Sequence, residues 1–523
     1  MIQFKYKLIY VMFALVLLFA PSCTDDLNQY PQEQLTSENV YQTVEGYRLS
    51  MAGVYGGLMF GNPDIDMRFV GMRGYFSMQE YPTDEVVYSW PSDNMDPLQT
   101  MQWTTQDVPT HGIYYDLYYD IALCNEFLRN ATDTKIANFS TSDQTTIISY
   151  RNDVRFIRAM VWMNILDLFG GNVPFVTEND PVGSFMPDPT NNQDLFNYIE
   201  SELKAIGNLL PENGNNEYGR PSKGTAWSLL TRLYLNAETY IKTAKYTECI
   251  TYCKKVFEQG YTLEPVYDHL FNAQNHLRTN EIIFPITSDM TNSESWSGTI
   301  FLIAGALGGS ALAADYGVDA AWGNMRTRPE CVGFFADPSG ATDKRAKFYS
   351  DGQSLTISSL SNQSDGYLVT KYSNLNDDGT AATGKSGVAN TDWPVIRLAE
   401  IYLNYTEAVL RGGSGGNRAT ALSYVNEIRD RAWGVTPGTG SDGDISDATL
   451  DLDWLLTERG RELHWECLRR TDLIRYGKFT GNSYVWSWKG GVKNGTATAA
   501  KYNLFPIPAS EIAANKKLSN PNY

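Results

Sequence analysis

Apolar residues recur at steps of three and four over several long stretches, which is the spacing that gives a helix one apolar face. In residues 151–169, for example, Val154, Ile157, Val161 and Ile165 form a single apolar stripe. The same period predicts helices over about 113–130, 195–210, 225–241, 246–258, 395–411, 419–432 and 450–468. These helices follow each other in pairs, close to the tetratricopeptide pattern of helix, turn and helix. We therefore predict a mainly α-helical chain, in which tetratricopeptide-like helix pairs form a scaffold.

The pattern changes between residues 264 and 390. Helical period is lost there, Gly, Ser, Asn and Thr become frequent, and short strand-like runs occur at 282–286 and 367–372. Insertions of this kind on a rigid scaffold often carry binding residues. We predict a single domain over 37–523, in which this loop-rich elaboration is added to the helical scaffold.

The first residues have the pattern of an export signal. Lys5 and Lys7 precede an apolar run that is too short to span a bilayer but has the length of a signal-peptide core. Small residues then lead into Cys23, which resembles a bacterial lipoprotein signal, in which the cysteine thiol is lipidated. We predict a signal peptide over 1–22, and a lipidated Cys23 with a polar tether over 23–36. Ordinary secretion, with a cysteine near the cleavage point by chance, is the alternative.

Composition narrows the classes of function. The chain has 523 residues, with 42 Lys and Arg against 60 Asp and Glu, and a formal charge of −18. Such a chain repels phosphate backbones and shows no basic patch, so nucleic acid is not expected as a partner. Hydrophobic residues make up 42% of the chain, which is enough to bury a large core. Aromatic residues reach 13%, and most are Tyr and Trp, which combine a flat apolar face with a polar edge.

Two motifs that suggest catalysis lack the required surroundings. Residues 379–386 satisfy the phosphate-loop pattern GxxxxGKS, but no apolar strand is predicted before them and no helix after them. Residues 412–416 match the hydrolase pattern GxSxG, yet they follow a predicted helix instead of a strand. The four histidines lack the spacing of zinc ligands, so we expect neither a metal nor a cofactor.

A glycosidase is harder to set aside, because it needs only two carboxyl groups at a suitable separation. The many acidic residues supply numerous pairs, and spacing in the sequence does not select one. The acids of 458–466 alternate with Arg459 and Arg461, and helix faces of this kind usually form structural salt bridges. A secreted glycosidase therefore stays open as the alternative from another class.

Tryptophans in polar, loop-like sequence are the remaining candidates for a binding site. They are Trp90, Trp103, Trp296, Trp322 and Trp393. Each either packs onto the scaffold or is displayed as a platform, and packing is the commoner role of a single Trp. A displayed ring suits a sugar, whose C–H faces are apolar and whose hydroxyls need hydrogen-bond partners. Polar side chains that could serve those hydroxyls are Arg73, Asp93 and Asn94.

Several motifs resemble those of the SusD/RagB family, in family order over nearly the whole chain. They are FIRA (156–159), DLFG (167–170), VP (173–174), GR (219–220), KGTAW (223–227), DWPVIRLAE (392–400), ERGRE (458–462), RTDL (470–473) and LFPIP (504–508). Family members are surface lipoproteins with tetratricopeptide-type helix pairs, and each delivers glycan to a TonB-dependent outer-membrane transporter. The resemblance implies a SusD-like α/α fold, a lipid anchor in the outer membrane, a SusC-like transporter as partner, and no catalytic activity.

The resemblance extends to the starch-binding member that gives the family its name, in YPTDE (81–85) and YVWSWKGG (484–491). That member grips starch with three aromatic residues, an Arg and an Asn. By local matching, the counterparts here are Trp90, Trp322, Trp296 in place of a Tyr, Arg73, and either Asn94 or Asp93. The stretch 272–280 lacks the acids that hold calcium in that member.

We therefore expect a non-catalytic, cell-surface lipoprotein that captures starch or another α-glucan and passes it to a TonB-dependent transporter. The same role with dextran, another glucan or a hemicellulose stays open, because the sequence does not fix the linkage. So does the role of a purely structural lid, in which the transporter alone recognises the glycan.

Overall fold

The computed structural model of the protein describes residues 37–183, 185–292, 296 and 298–523. The predicted signal peptide, Cys23 and the tether to residue 36 lie outside the described residues. Residues 48–523 form one compact unit, whereas 37–47 belong to a separate N-terminal unit. Within the described ranges, no helix has both the length and the apolar character needed to cross a membrane.

Helices dominate the structure, which confirms the mainly α-helical class. Up to residue 260 they are α1 (Ser37–Val40), α2 (Val44–Phe60), α3 (Gly71–Glu80), α4 (Asp96–Gln99), α5 (Val108–Asn130), α6 (Asp133–Ile136), α7 (Thr141–Phe169), α8 (Asn192–Gly207), α9 (Lys223–Leu235), α10 (Ala237–Ile241) and α11 (Tyr246–Phe257). Beyond it they are α12 (Ile300–Ala306), α13 (Pro329–Val332), α14 (Leu398–Leu410), α15 (Arg418–Ala432), α16 (Leu452–Leu463), α17 (Arg469–Arg475) and α18 (Ala509–Ala514). The helix predicted to end at 468 ends at 463, because Trp465 and Cys467 adopt left-handed backbone with φ of 62° and 64°.

The long helices pack against each other in chain order, as expected for helix pairs. Helix α5 packs on α7, α7 on α8, α8 on α9, α9 on α11, α11 on α14, and α14 on α15. Side chains fix the starts of these helices by accepting hydrogen bonds from first-turn N–H groups. Ser140 accepts from Asp143 at the start of α7, and Ser222 accepts from Thr225 at the start of α9.

In the described chain, short strands pair in three antiparallel sheets of two strands each. They are β1 (Val86–Tyr88), β2 (Ile282–Ile286), β3 (Met325–Thr327), β4 (Phe348–Tyr349), β5 (Leu368–Val369) and β6 (Trp393–Arg397). Strand β1 pairs with β3, β2 with β6, and β4 with β5. The run predicted at 282–286 is confirmed as β2, whereas the run at 367–372 yields only β5. The helix predicted from 395 begins at Leu398, because the preceding residues form β6 against β2.

Most described residues between 264 and 390 lie in turns and loops, as predicted. Residues 379–386 form turns and irregular backbone that no helix directly follows, so the surroundings of a phosphate loop are absent there. Residues 412–416 form the turn between α14 and α15. Neither motif has the local fold that its chemistry requires.

Helix α16 carries buried acids that pair with arginines from distant parts of the chain, as predicted for 458–466. Glu462 lies 3.1 Å from Arg345 and 2.5 Å from Arg397, and it also pairs with Arg431. Burial alone would raise the pKa of Glu462, but the three arginines outweigh burial and lower that pKa to about 2. Glu462 is therefore an ionised structural group of the core.

Candidate functional site

A groove of about 620 Å³ lies where β1 and β3 lead into their loops. Five of the six predicted contact residues line it, namely Trp90, Trp296, Trp322, Arg73 and Asp93. Further lining residues include Asp66, Arg68, Ile300, Ala304, Asp319 and Ser386. The fold thus gathers into one surface residues from five segments of the sequence, namely 66–73, 90–93, 296–304, 319–322 and 386–387.

The pairing of β1 with β3 brings Trp90 and Trp322 to the same end of one sheet. Beyond the last paired residues, the Ser89 N–H donates to the carbonyl oxygen of Asn324 at 2.8 Å. Trp90 directly follows Ser89, and Trp322 precedes Asn324 by two positions. Both tryptophans are half-buried, so each ring is partly supported by the protein and partly available to a ligand.

Trp296 is the most exposed of the three tryptophans, with 57% of its surface accessible. It lies shortly before α12, whose residues Ile300 and Ala304 form an apolar part of the lining. Gly387 lies against the indole, because a Cβ added to this glycine would be 3.1 Å from Nε1 of Trp296. Gly387 also has a φ of +77°, so both its backbone and its neighbour favour glycine.

Arg73 is buried in the first turn of α3 and still lines the groove. Its guanidinium carbon lies 5.9 Å from the ring centres of both Phe301 and Trp322. Among the described residues, none lies within ion-pair or hydrogen-bond distance of this guanidinium. A cation with unused N–H donors beside an aromatic ring favours a ligand that brings hydroxyl or other acceptor oxygens.

Asp93 is buried and has partners within the protein. It accepts a hydrogen bond from Arg68 at 2.5 Å and another from the hydroxyl of Tyr88. Arg68 also donates to Asp66 at 2.9 and 2.6 Å, and this hydrogen bonding lowers the pKa of Asp66. Asn94, the next residue, is exposed, has a left-handed backbone with φ of 59°, and lies outside the lining.

No sequence pattern points to Arg68, Asp66 or Asp319, which the structure adds to the site. Arg68 lies in a short polar stretch whose spacing predicts no element and no motif. Ser386 ends the phosphate-loop pattern, and its hydroxyl donates to Asp319 at the groove. Residues 379–386 lack the surroundings of a nucleotide site, but Ser386 at their end forms part of the groove lining.

The other two loop tryptophans pack into the core. Trp103 is fully buried and donates from Nε1 to the hydroxyl of Tyr523 at 2.8 Å. Trp393 is buried in β6. Packing is thus the role of both Trp103 and Trp393.

The lining carboxylates have arrangements that suit binding better than hydrolysis. Asp66 and Asp93 both pair with Arg68, and Asp319 accepts from Ser386. A glycosidase needs one carboxylic acid with a raised pKa, whereas the pKa of Asp66 is lowered. In the described part of the chain, no cluster of His, Cys, Asp and Glu could hold a metal ion.

The structural class is a scaffold of helix pairs that carries an aromatic groove built from loops. Sequence comparison identifies the family. The profile of the SusD family matches residues 321–523. The chain is also 31% identical to the starch-binding protein SusD of Bacteroides thetaiotaomicron, over 96% of this chain and 96% of that protein. The protein therefore belongs to the SusD family.

Solved structures share the fold. A SusD homologue from Bacteroides thetaiotaomicron has a TM-score of 0.73 at 19% identity, covering 94% of this chain and 100% of its own. The surface glycan-binding protein A from the same species, solved in complex with laminarihexaose, has a TM-score of 0.67 at 19% identity. That comparison covers 92% of this chain and 99% of the other. The predicted SusD-like α/α fold is thereby confirmed.

Proposed function

We propose that the protein is a non-catalytic binding protein that captures starch or another α-glucan in this groove. The observation that carries the proposal is the meeting of Trp90, Trp296 and Trp322 with Arg73, whose N–H donors no described residue uses. The name of the starch-binding relative supports the choice of an α-glucan, since that protein shares 31% of its residues with this chain.

The mechanism is the stacking of successive sugar faces on the three rings. Each apolar C–H face covers an indole, while Arg73 and Asn94 donate to hydroxyl groups at the edges of the sugars. One such contact contributes about 1 kcal/mol by analogy with aromatic pairs. The affinity of a single site is therefore micromolar or weaker, and many copies on one polymer chain supply avidity.

We further propose that the protein has a lipid anchor and delivers glycan to a transporter. Lipid on Cys23 holds the protein in the outer membrane at the cell surface, where it passes glycan to a SusC-like TonB-dependent transporter. Family membership supports this arrangement. Labelled palmitate should enter the full-length chain and not the Cys23→Ala variant, and the transporter should co-purify from membranes. Equal labelling of both chains would contradict the anchor.

The test of binding is a panel of glycans presented to the purified protein in affinity gels and by calorimetry. The panel contains starch, dextran, a hemicellulose and laminarihexaose, because a neighbouring structure holds the last of these. Retention by starch and loss of retention in Trp90→Ala, Trp296→Ala and Trp322→Ala would support the proposal. Trp454→Ala is the control, since Trp454 is also partly buried but lies on α16 outside the groove.

The panel also separates the alternatives. Retention by another glycan and not by starch would support the groove as the binding site but would change the proposed substrate. Unchanged starch binding by the three tryptophan variants would favour a site elsewhere, and no binding at all would favour a structural lid. Release of reducing sugar from starch by the purified protein would identify a glycosidase and overturn the non-catalytic assignment.

A further inference from the structure

Arg326 on β3 and Arg328 just after this strand are buried without a carboxylate partner among the described residues. Arg326 and Arg328 are both fully buried, and burial lowers the pKa of each to about 10. In the described structure their guanidinium groups donate mainly to backbone carbonyl oxygens. Burying a cation in this way is costly unless each donor is matched, so the carbonyl groups around it must stay in fixed positions.

Arg326 connects the two segments that carry Trp90 and Trp322. Its Nη1 donates to Ser89 Oγ at 3.3 Å and to the Gly323 carbonyl oxygen at 3.0 Å. Ser89 directly precedes Trp90, and Gly323 directly follows Trp322. The Ser89 hydroxyl also donates to the Gly323 carbonyl oxygen at 3.0 Å, so three groups converge between the two tryptophans.

The remaining donors of Arg326 hold a third segment. Its Nε donates to the Asp365 carbonyl oxygen at 2.6 Å, and Nη2 donates to the Asn362 carbonyl oxygen at 3.0 Å. The guanidinium is planar and presents its N–H groups in a rigid fork. Because one rigid group satisfies acceptors in three segments, a movement of any segment leaves a buried donor unmatched.

Arg328, two residues further along the chain, differs from Arg326 in the segments that it connects. It donates to the carbonyl oxygens of Val86 at 2.9 Å and Gln99 at 2.8 Å, and also to that of Ser487. Its acceptors lie neither next to Trp90 nor next to Trp322 in the chain. The two arginines thus share burial and type of acceptor, and they differ in which segments they connect.

We infer that Arg326 is a positioning residue that sets the placement of Trp90 relative to Trp322, and so the spacing of two stacking platforms. The effect of this spacing on glycan affinity rests on the proposed function. The positioning itself concerns only the protein, and it holds whether or not a particular glycan binds. A lysine at this position keeps the charge but lacks the fork that reaches Ser89 and Gly323 together.

The first test uses fluorine NMR of the purified protein labelled with 5-fluorotryptophan, without glycan. Resonances are assigned with Trp90→Phe, Trp296→Phe and Trp322→Phe. Arg326→Lys and the milder Ser89→Ala should each shift or broaden the Trp90 and Trp322 signals and leave that of Trp296 in place. Arg328→Lys should leave both signals in place. Unchanged Trp90 and Trp322 signals in folded Arg326→Lys and Ser89→Ala would overturn the inference.

The second test measures calorimetric affinity for maltoheptaose. Arg326→Lys should weaken binding by about fivefold, the equivalent of one ring contact, and Ser89→Ala by a smaller factor. Arg328→Lys should bind as the wild type does, although it loses comparable buried hydrogen bonds. Equal weakening in the Arg326 and Arg328 variants would reduce the role to general stability and overturn the inference. If the wild type binds no glycan while the NMR signals shift as expected, the positioning stands and the proposed function falls.

Discussion

The guanidinium carbon of Arg73 lies 5.9 Å from the centre of the Trp322 ring. A cation at this distance is attracted to the electron-rich face of an aromatic ring. No described carboxylate pairs with Arg73, whose guanidinium carbon lies equally near the Phe301 ring and which lines the groove. The two residues therefore present an apolar face and free hydrogen-bond donors side by side, which is the combination that a sugar ring requires.

Replacement of Arg73 by Gln should reduce affinity for starch oligosaccharides with little effect on stability. A hydrogen bond from a charged group contributes about 1.5–3 kcal/mol, so a loss of about tenfold to a hundredfold is expected. The melting temperature should change little, because no ion pair within the described structure is lost. Calorimetry and thermal unfolding measure the two quantities. Arg129→Gln, which breaks a surface pair with Glu126, is the control for removal of a positive charge. Unaltered affinity in Arg73→Gln would remove this residue from the site.

Replacement of Gly387 by Ala should weaken glycan binding through Trp296. The added Cβ would approach the indole Nε1 to 3.1 Å, so the ring must move. Gly379→Ala is a matched control, since Gly379 also has positive φ, +82°, but a Cβ there meets nothing within 4 Å. Both variants carry similar backbone strain, so a larger loss of affinity in Gly387→Ala reports the contact. Equal affinities in the two variants would show that the position of Trp296 is unimportant.

Substitutions of Asn94 and Asp93 should affect different properties, glycan affinity in the first case and stability in the second. Asn94→Gly removes an exposed amide while keeping a residue that tolerates φ of 59°, so affinity should fall a few-fold at unchanged stability. Asp93→Asn weakens the ion pair between buried Asp93 and partly exposed Arg68, so the free energy of unfolding should fall by about 1–3 kcal/mol. Binding calorimetry and urea unfolding distinguish the two effects. A stable Asp93→Asn protein with strongly reduced affinity would instead assign the sugar contact to Asp93.

Glu80 and Glu85 should make stability depend on pH. Burial first, and then the neighbouring Glu85 carboxylate, raise the pKa of Glu80 well above 4.5, and burial raises that of Glu85 to about 7. The folded protein thus keeps protons that the unfolded chain loses above 4.5. Their contribution to the free energy of unfolding falls as pH rises from about 4.5 through about 7.

Glu80→Gln imitates the neutral form, so its urea stability relative to wild type should rise between about pH 5 and about pH 8. Glu258→Gln, an exposed substitution at the end of α11, should show no such trend. A constant difference between Glu80→Gln and wild type across this range would mean that Glu80 is ionised in the folded protein.

The sequence predicted most of the long helices because their apolar period repeats over several turns, as in α7 and α11. It missed α2 and the first ten residues of α7. It could not predict the pairing of β1 with β3, since each strand has three residues and their partners lie far apart in the chain. Family resemblance picked out the residues of the site, but Trp90 and Trp103 look alike in local sequence. Only the fold decides that Trp90 lines the groove while Trp103 is covered by the C-terminal Tyr523. Arg68 was missed because ion pairs between loop residues leave no period to detect.

The distance in the chain between the segments of the groove has a consequence for folding during synthesis. Trp90 needs β3, Trp296 needs Gly387, and Arg326 needs the segment that contains Asn362 and Asp365. The helices from α5 to α11 contact their neighbours in the chain and form local units, whereas the groove closes loops of hundreds of residues. A nascent or truncated chain that stops before Gly387 can therefore assemble much of its helical scaffold and still lack a completed binding surface.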